Sequence, residues 1–197
     1  MRNPKGLSVI CLLLVLLTAH TVSAQSSAGD ASKPNLEVQL HLLVASNEPG
    51  EGRLPTTLEP IVKQLRSTLQ LTNYRLTATF ANSVKNGNSL ESKGVLPSDA
   101  FAQGPSGPVF YEFTLQRITA SEAPNSSIDI SQLRFGLRVP IIMSTGTPPA
   151  LANINYEPTG VTTSLTLREA TPTVFGTLSM NKPNQLLVLV ISVKRTS

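Results

Sequence analysis

The chain is poor in the residues from which most recognisable sites are built: it has one cysteine, two histidines and no tryptophan. Cys11 and His20 lie in an N-terminal segment read below as removed on export, which leaves His41 as the sole imidazole and no thiol. Zinc, iron–sulfur, haem and Cys-His nucleophile sites then lose their usual ligands, and no cofactor or metal is expected. A Ser-His-acid arrangement would have to use His41. Glu37, its acidic neighbour on the same strand face, stands roughly 13 Å away along an extended backbone, too far for an orienting hydrogen bond. His41 is therefore expected to be a cross-strand surface residue. No Gly-rich phosphate loop, Gly-x-Ser-x-Gly elbow or lysine-centred nucleotide motif occurs. A glycosidase needs only two carboxylates and is left open by counting, but with six Phe and three Tyr the aromatic platforms that sugars stack on are scarce. A non-enzyme is expected.

Charge is also sparse, at 14% of residues, and mixed along the chain. The formal +4 includes Arg2 and Lys5; without them 14 basic residues face 12 acidic ones, a net +2 that is too weak and scattered for nucleic acid. Met1 to Ala24 has the pattern of a secretory signal peptide. Arg2 and Lys5 form its positive end, Leu7 to Ala19 its apolar run, and Val22-Ser23-Ala24 its small residues, with cleavage expected between Ala24 and Gln25. The apolar run falls short of the ~20 residues of a membrane-spanning helix, and no later stretch approaches that length. An exported chain without disulfides must depend on its core, which suits a bacterial envelope, although Asn125-Ser126-Ser127 has the form of a eukaryotic glycosylation acceptor.

With 15 Pro, 12 Gly and much Ser, Thr and Asn, the composition favours strands and turns. Gln25–Pro34 reads as a flexible leader and 35–197 as a single β-rich domain. Leu36, Val38, Leu40, Leu42 and Val44 alternate with Glu37, Gln39 and His41, a half-buried strand; Leu43 and Ala45 make its second half apolar on both faces. Asn47 to Arg53 is turn chemistry, and Pro49 and Gly50 interrupt what would otherwise begin a calcium loop. Leu58, Ile61, Val62, Leu65 and Leu69 follow helical spacing, predicting one amphipathic helix over about 57–70, with Thr57 as N-cap and Pro60 in the first turn. Tyr74, Leu76, Ala78 and Phe80 alternate on one face of the next strand. The turn signal Lys85-Asn86-Gly87-Asn88 predicts a hairpin returning through Leu90–Leu96, with a bulge at Gly94. Pro97–Pro108 reads as a surface loop.

Val109, Tyr111, Phe113 and Leu115 then alternate with Phe110, Glu112 and Thr114, in a strand paired with Ile128–Ile142, where Leu133, Phe135, Leu137 and Val139 alternate with Arg134, Gly136 and Arg138. Pro140 marks an edge or strand end. Arg134 and Arg138 share a face, and would either meet a phosphate or acidic partner or form the wet side of a sheet. Ser144–Gly160 reads as a second long loop. Val161–Arg168 and Val174–Ser179 are strands, Asn181–Asn184 is a turn, and the charge-free Leu186–Val193 is a strand that needs cover on both faces.

The run Thr163-Ser164-Leu165-Thr166-Leu167-Arg168, then Thr173-Val174-Phe175-Gly176-Thr177, then the aliphatic Leu186–Lys194, resembles the closing strands of bacterial outer-membrane secretins. Leu36–Ser46 is similar to the strand that opens their β-domain. Ala170 stands where that family has a turn glycine, Gly176 is followed by threonine in place of a second glycine, and the family's membrane-inserting lip has no counterpart. The resemblance implies a periplasmic relative of the secretin scaffold and not a channel. The expected fold is mainly β, an antiparallel sandwich of about eight strands with one helix, its first and last strands central. The expected role is structural or protein-interacting in the periplasm or at the outer membrane of a Gram-negative bacterium, with another envelope protein or a second copy as partner. The alternative is a carbohydrate- or small-ligand-binding module at Phe110, Tyr111 and the Pro97–Pro108 loop.

Overall fold

A computed structural model describes residues 33–48, 54–96, 107–121, 123, 127–144, 153–180 and 184–196. The signal segment, the Ala24–Gln25 junction, nearly all of the leader, and most of the Asn47–Arg53 and Pro97–Pro108 loops lie outside the described residues, as do Asn125, Ser126 and Asn181–Pro183. The strands are β1 (Asn35–Ser46), β2 (Asn73–Lys85), β3 (Leu90–Leu96), β4 (Val109–Ala120), β5 (Ser127–Ser144), β6 (Asn153–Arg168), β7 (Thr173–Ser179) and β8 (Gln185–Thr196). They form two antiparallel four-stranded sheets, ordered β2-β1-β8-β7 and β3-β4-β5-β6. The helix α1 (Glu59–Leu69) follows a 3-10 turn at Thr56–Leu58.

The three layers follow from the apolar patterning. Leu36, Val38, Leu40, Leu42 and Val44 of β1 and Leu187, Leu189, Ile191 and Val193 of β8 face Phe113, Leu115, Leu133, Phe135 and Leu137 of the second sheet, filling the space between the sheets. On the other side of the first sheet, Leu43, Ala45, Val188 and Val190 meet Leu58, Val62 and Leu65 of the helical segment. β1 and β8 are the two central strands of their sheet, as the two-faced apolar runs predict, and Leu187–Ile191 is almost fully buried.

Several local expectations are corrected. Thr57 makes no cap bond; the 3-10 turn, closed by Leu58 N–H donating to the Pro55 carbonyl (2.9 Å), leads into α1, with Pro60 in the first turn where it costs no intrahelical bond. β2 and β3 are not a hairpin, since β2 pairs with β1 and β3 with β4. The turn itself is present, with Gly87 at φ 90°, but it carries the chain between sheets. The Asn86 side chain takes the place of a strand partner there, donating to the Ala120 carbonyl (3.0 Å) and accepting from the Ala120 N–H (2.8 Å). In β2 a bulge opposite Leu42/Leu43 breaks the alternation. Tyr74 and Leu76 consequently pack on the helix side, and Ala78 and Phe80 between the sheets. Gly94 marks no bulge: its pairing is regular, and a Cβ there would lie 2.8 Å from the Tyr111 ring, so glycine makes room for that ring.

The Ser144–Gly160 loop is corrected in its second half, which is strand, while 145–152 lies outside the described residues. β6 begins at Asn153, and its Pro158 and Gly160 pair with Arg138 and Gly136. Two strand-disfavouring residues are tolerated because β6 is an edge strand with ladder partners on one side only. Beyond Arg138, β5 pairs with β6 alone, so Pro140 also sits where one side carries no ladder.

The β6–β7 turn is held by Glu169, which accepts from the Arg195 N–H (3.1 Å) and pairs with its guanidinium (3.6 Å), while that guanidinium also donates to the Ala123 carbonyl (2.8 Å). Ala170 in this turn has φ 57°, the left-handed region in which a Cβ is penalised. Ala170→Gly is therefore expected to stabilise the fold by up to about 1 kcal/mol, which urea unfolding reads as a higher midpoint at constant slope; an unchanged or lower midpoint counts against strain in the turn.

His41 lies in the row between Thr79 and Val190, is 6% exposed, and has Nδ1 3.0 Å from Thr79 Oγ1. It is cross-strand as expected but buried, not on the surface. Burial disfavours its charged form and lowers its pKa from the ordinary 6.5. Because the unfolded chain binds that proton more readily, His41 contributes no penalty above about pH 6.5 and destabilises the fold as pH falls below it. The unfolding midpoint should drop between about pH 7 and pH 5, and His41→Gln should flatten that stretch of the profile; an equal slope in the variant would assign the dependence to carboxylates.

Candidate functional site

The outer face of the first sheet is partly sealed by α1. The outer face of the second sheet bears a groove of about 810 Å³ across β3, β4, β5 and β6. Cross-strand register sets out this outer face in rows. Val95, Phe110, Arg138 and Pro158 form one row, Lys93, Glu112, Gly136 and Gly160 the next, and Glu91, Thr114, Arg134 and Thr162 the third. The middle row ends in two glycines, so the floor between Arg134 and Arg138 has no side chains over β5 and β6. Those arginines are four residues apart on one strand, roughly 13 Å, and stand on opposite banks of this trench.

The two glycines differ in what holds them. A Cβ at Gly160 would lie 2.4 Å from the Phe135 carbonyl oxygen and 3.0 Å from Gly136 Cα, so the β5–β6 pairing itself requires glycine there. A Cβ at Gly136 would meet only the Thr159 oxygen, at 3.9 Å, and would project into open space. The trench is therefore kept clear at Gly136 by composition and not by backbone crowding.

Charge in the trench is unevenly satisfied. Lys93 holds Glu91 (2.6 Å) and Glu112 (3.7 Å), and the Glu91 hydrogen bond, with Glu112 adding attraction, raises the Lys93 pKa. Arg134 and Arg138 are exposed and make no ion pair among the described residues. At one end the groove is apolar: Phe110 packs against Tyr156, ring centroids 5.5 Å apart and tilted by 59°, beside Val95 and Pro158. The exposed large hydrophobics among the described residues, Val95, Phe110 and Ile154, all belong to this outer face or its continuation along the β5–β6 ribbon.

Of the residues singled out from sequence, Phe110, Arg134 and Arg138 are thus brought to one face. Tyr111 is not: its ring packs inward on Phe80, centroids 4.3 Å apart, with its hydroxyl 3.3 Å from Ser92 Oγ. The face also uses Val95, Gly136, Tyr156, Pro158 and Gly160. Gly136 was visible in the alternation between the two arginines, whereas Tyr156, Pro158 and Gly160 were hidden by reading their segment as loop. No group of three or more His, Cys, Asp or Glu able to hold a metal occurs among the described residues. Glu37 hydrogen-bonds Gln39 (2.5 Å) and pairs with Lys194 (3.1 Å), which lower its pKa, and it makes no contact with His41. Asn47 Oδ1 accepts from the Thr72 N–H (3.1 Å), a loop-closing role. No helix among the described residues is long and apolar enough to cross a membrane.

Substitution separates the two glycines. Gly160→Ala is expected to cost about 1–3 kcal/mol, because the strand pair must move apart, while Gly136→Ala should be neutral or stabilising by up to about 1 kcal/mol. Paired thermal melts check this; equal losses at both positions would contradict the packing described.

No protein-family model and no curated protein matches this chain. Among solved structures it is similar to the Klebsiella pneumoniae type II secretion system outer membrane complex containing PulD, PulS and the PulC HR domain (TM-score 0.42, 9% identity, 99% of this chain and 44% of that one). It is similar also to the Pseudomonas aeruginosa type II secretin XcpQ (TM-score 0.42, 8% identity, 100% and 64%) and the Salmonella SPI-1 injectisome secretin InvG (TM-score 0.37, 11% identity, 100% and 71%). The chain spans less than two-thirds of the first two.

Proposed function

We propose that this is an exported bacterial envelope protein with a non-catalytic, protein-interaction role, a periplasmic secretin-like scaffold or accessory that docks another protein on the outer face of its second sheet. The observation that carries the reading is that the exposed large hydrophobics of the described residues share that face, Val95 beside Phe110 and Ile154 further along the β5–β6 ribbon. Single exposed apolar residues are ordinary, but an apolar group such as Val95, Phe110, Tyr156 and Pro158 beside charged residues marks an interaction surface. Export is supported by the Met1–Ala24 pattern, and the secretin-like character by the strand motifs at 36–46 and 161–194. The carbohydrate reading is less well supported. Tyr111 faces the core, and Phe110 and Tyr156 are too steeply tilted to make one flat stacking platform.

A photo-crosslinking residue placed at Ile154 or Phe110, in the native envelope, should give a discrete adduct with another protein or a second copy, while the same residue at the exposed Lys63 of α1 should give none. A monomer free of adducts from the sheet face, or adducts from Lys63 alone, would contradict the proposal.

A further inference from the structure

We infer that the trench between Arg134 and Arg138 receives an extended acidic segment of a partner protein, its backbone over Gly136 and Gly160, carboxylates on the two guanidiniums and an apolar side chain against Phe110, Tyr156 and Pro158. This deepens the interaction reading above and rests on it. The floor is the first support. An extended backbone can approach another sheet face closely only where side chains are missing, and Gly136 and Gly160 clear two adjacent strands in one row. The walls are the second. Arg134 and Arg138 stand roughly 13 Å apart across the trench, wide enough for an extended chain whose successive side chains point to opposite banks.

Charge complementarity then selects the sign. Glu112, in the glycine row, and Glu91 are both engaged by Lys93, and among the described residues neither guanidinium makes an ion pair. Two exposed guanidiniums flanking a recess suit carboxylates supplied by a partner, since a guanidinium binds a carboxylate bidentately. The apolar end selects the class of partner. Val95 is aliphatic and offers nothing to a sugar, whereas it and the Phe110–Tyr156 pair bury well against Leu, Val or Phe. A lipid surface is met by cations standing proud of the face, and here the cations flank a recess.

The test uses the purified protein and a random-peptide phage library, with binding of selected synthetic peptides measured at low and high salt. The expected result is enrichment of segments that combine two acidic residues with an aromatic or aliphatic one. Their affinity should fall about tenfold or more in Arg134→Ala, in Arg138→Ala and in Gly136→Val, and weaken with salt. Gly136→Val fills the trench without touching charge, and an unchanged melting curve shows that it remains folded. Selected peptides that bind Gly136→Val as tightly as the parent would overturn the assignment, as would an absence of acidic enrichment. Binding of polygalacturonate or of phosphatidylglycerol vesicles that is lost in the same three variants would also overturn it, by giving the trench to a glycan or a lipid. If the envelope adducts at Ile154 persist unchanged in Gly136→Val, the trench assignment fails while the interaction reading stands; if there are no adducts, both fail.

Discussion

The structure depends on giving β8 cover on both faces. Leu187, Val188, Leu189, Val190, Ile191 and Val193 are each at most 1% exposed. Burying six such side chains is worth on the order of 10 kcal/mol as an upper estimate, comparable to the whole net stability of an ordinary domain. No single packing partner can supply it, because consecutive strand residues point in opposite directions. The odd-numbered members lie against the second sheet and the even-numbered ones against α1. β1 repeats the arrangement at one end only, with Leu43 and Ala45 on the helix side, and this is where α1 sits.

That constraint makes the two outer faces unequal. The helix is committed to the first sheet, since without it Val188 and Val190 would be exposed in the middle of a charge-free strand, a route to aggregation. The second sheet has no such obligation. Its outward positions carry Glu91, Lys93, Glu112, Thr114, Arg134 and Arg138, and they need no cover. Within this polar field the apolar group at Phe110, Tyr156 and Val95 and the glycine-floored trench stand out, and the fold's own stability does not account for Gly136.

Patterning exposed the strands whose two faces differ and failed where the chemistry of a segment and its position disagreed. β1, β4, β5 and β8 were legible, as were the central placement of β1 and β8 and the helix stripe, because burial enforces period 2 or 3.6 there. The β2–β3 hairpin was misread because Asn-Gly signals a turn, not which strands pair; the Asn86 side chain, bonded to Ala120, supports a turn between sheets. The first half of β6 was read as loop because an edge strand tolerates Pro158 and Gly160. The candidate face was only half visible for the same reason: its β4 and β5 residues could be placed from alternation, while its β6 residues required a register that no local pattern sets.

The central claim is a division of labour, with a helix-sealed sheet for stability and an open sheet for docking. Backbone hydrogen exchange on the protein, free and cross-linked to its envelope partner, tests this most directly. The account predicts that β1 and β8 are the slowest-exchanging strands in both states, and that the partner adds protection at the Phe110 end of β4 and along β6. New protection on α1 instead, or no change on the second sheet, would contradict it.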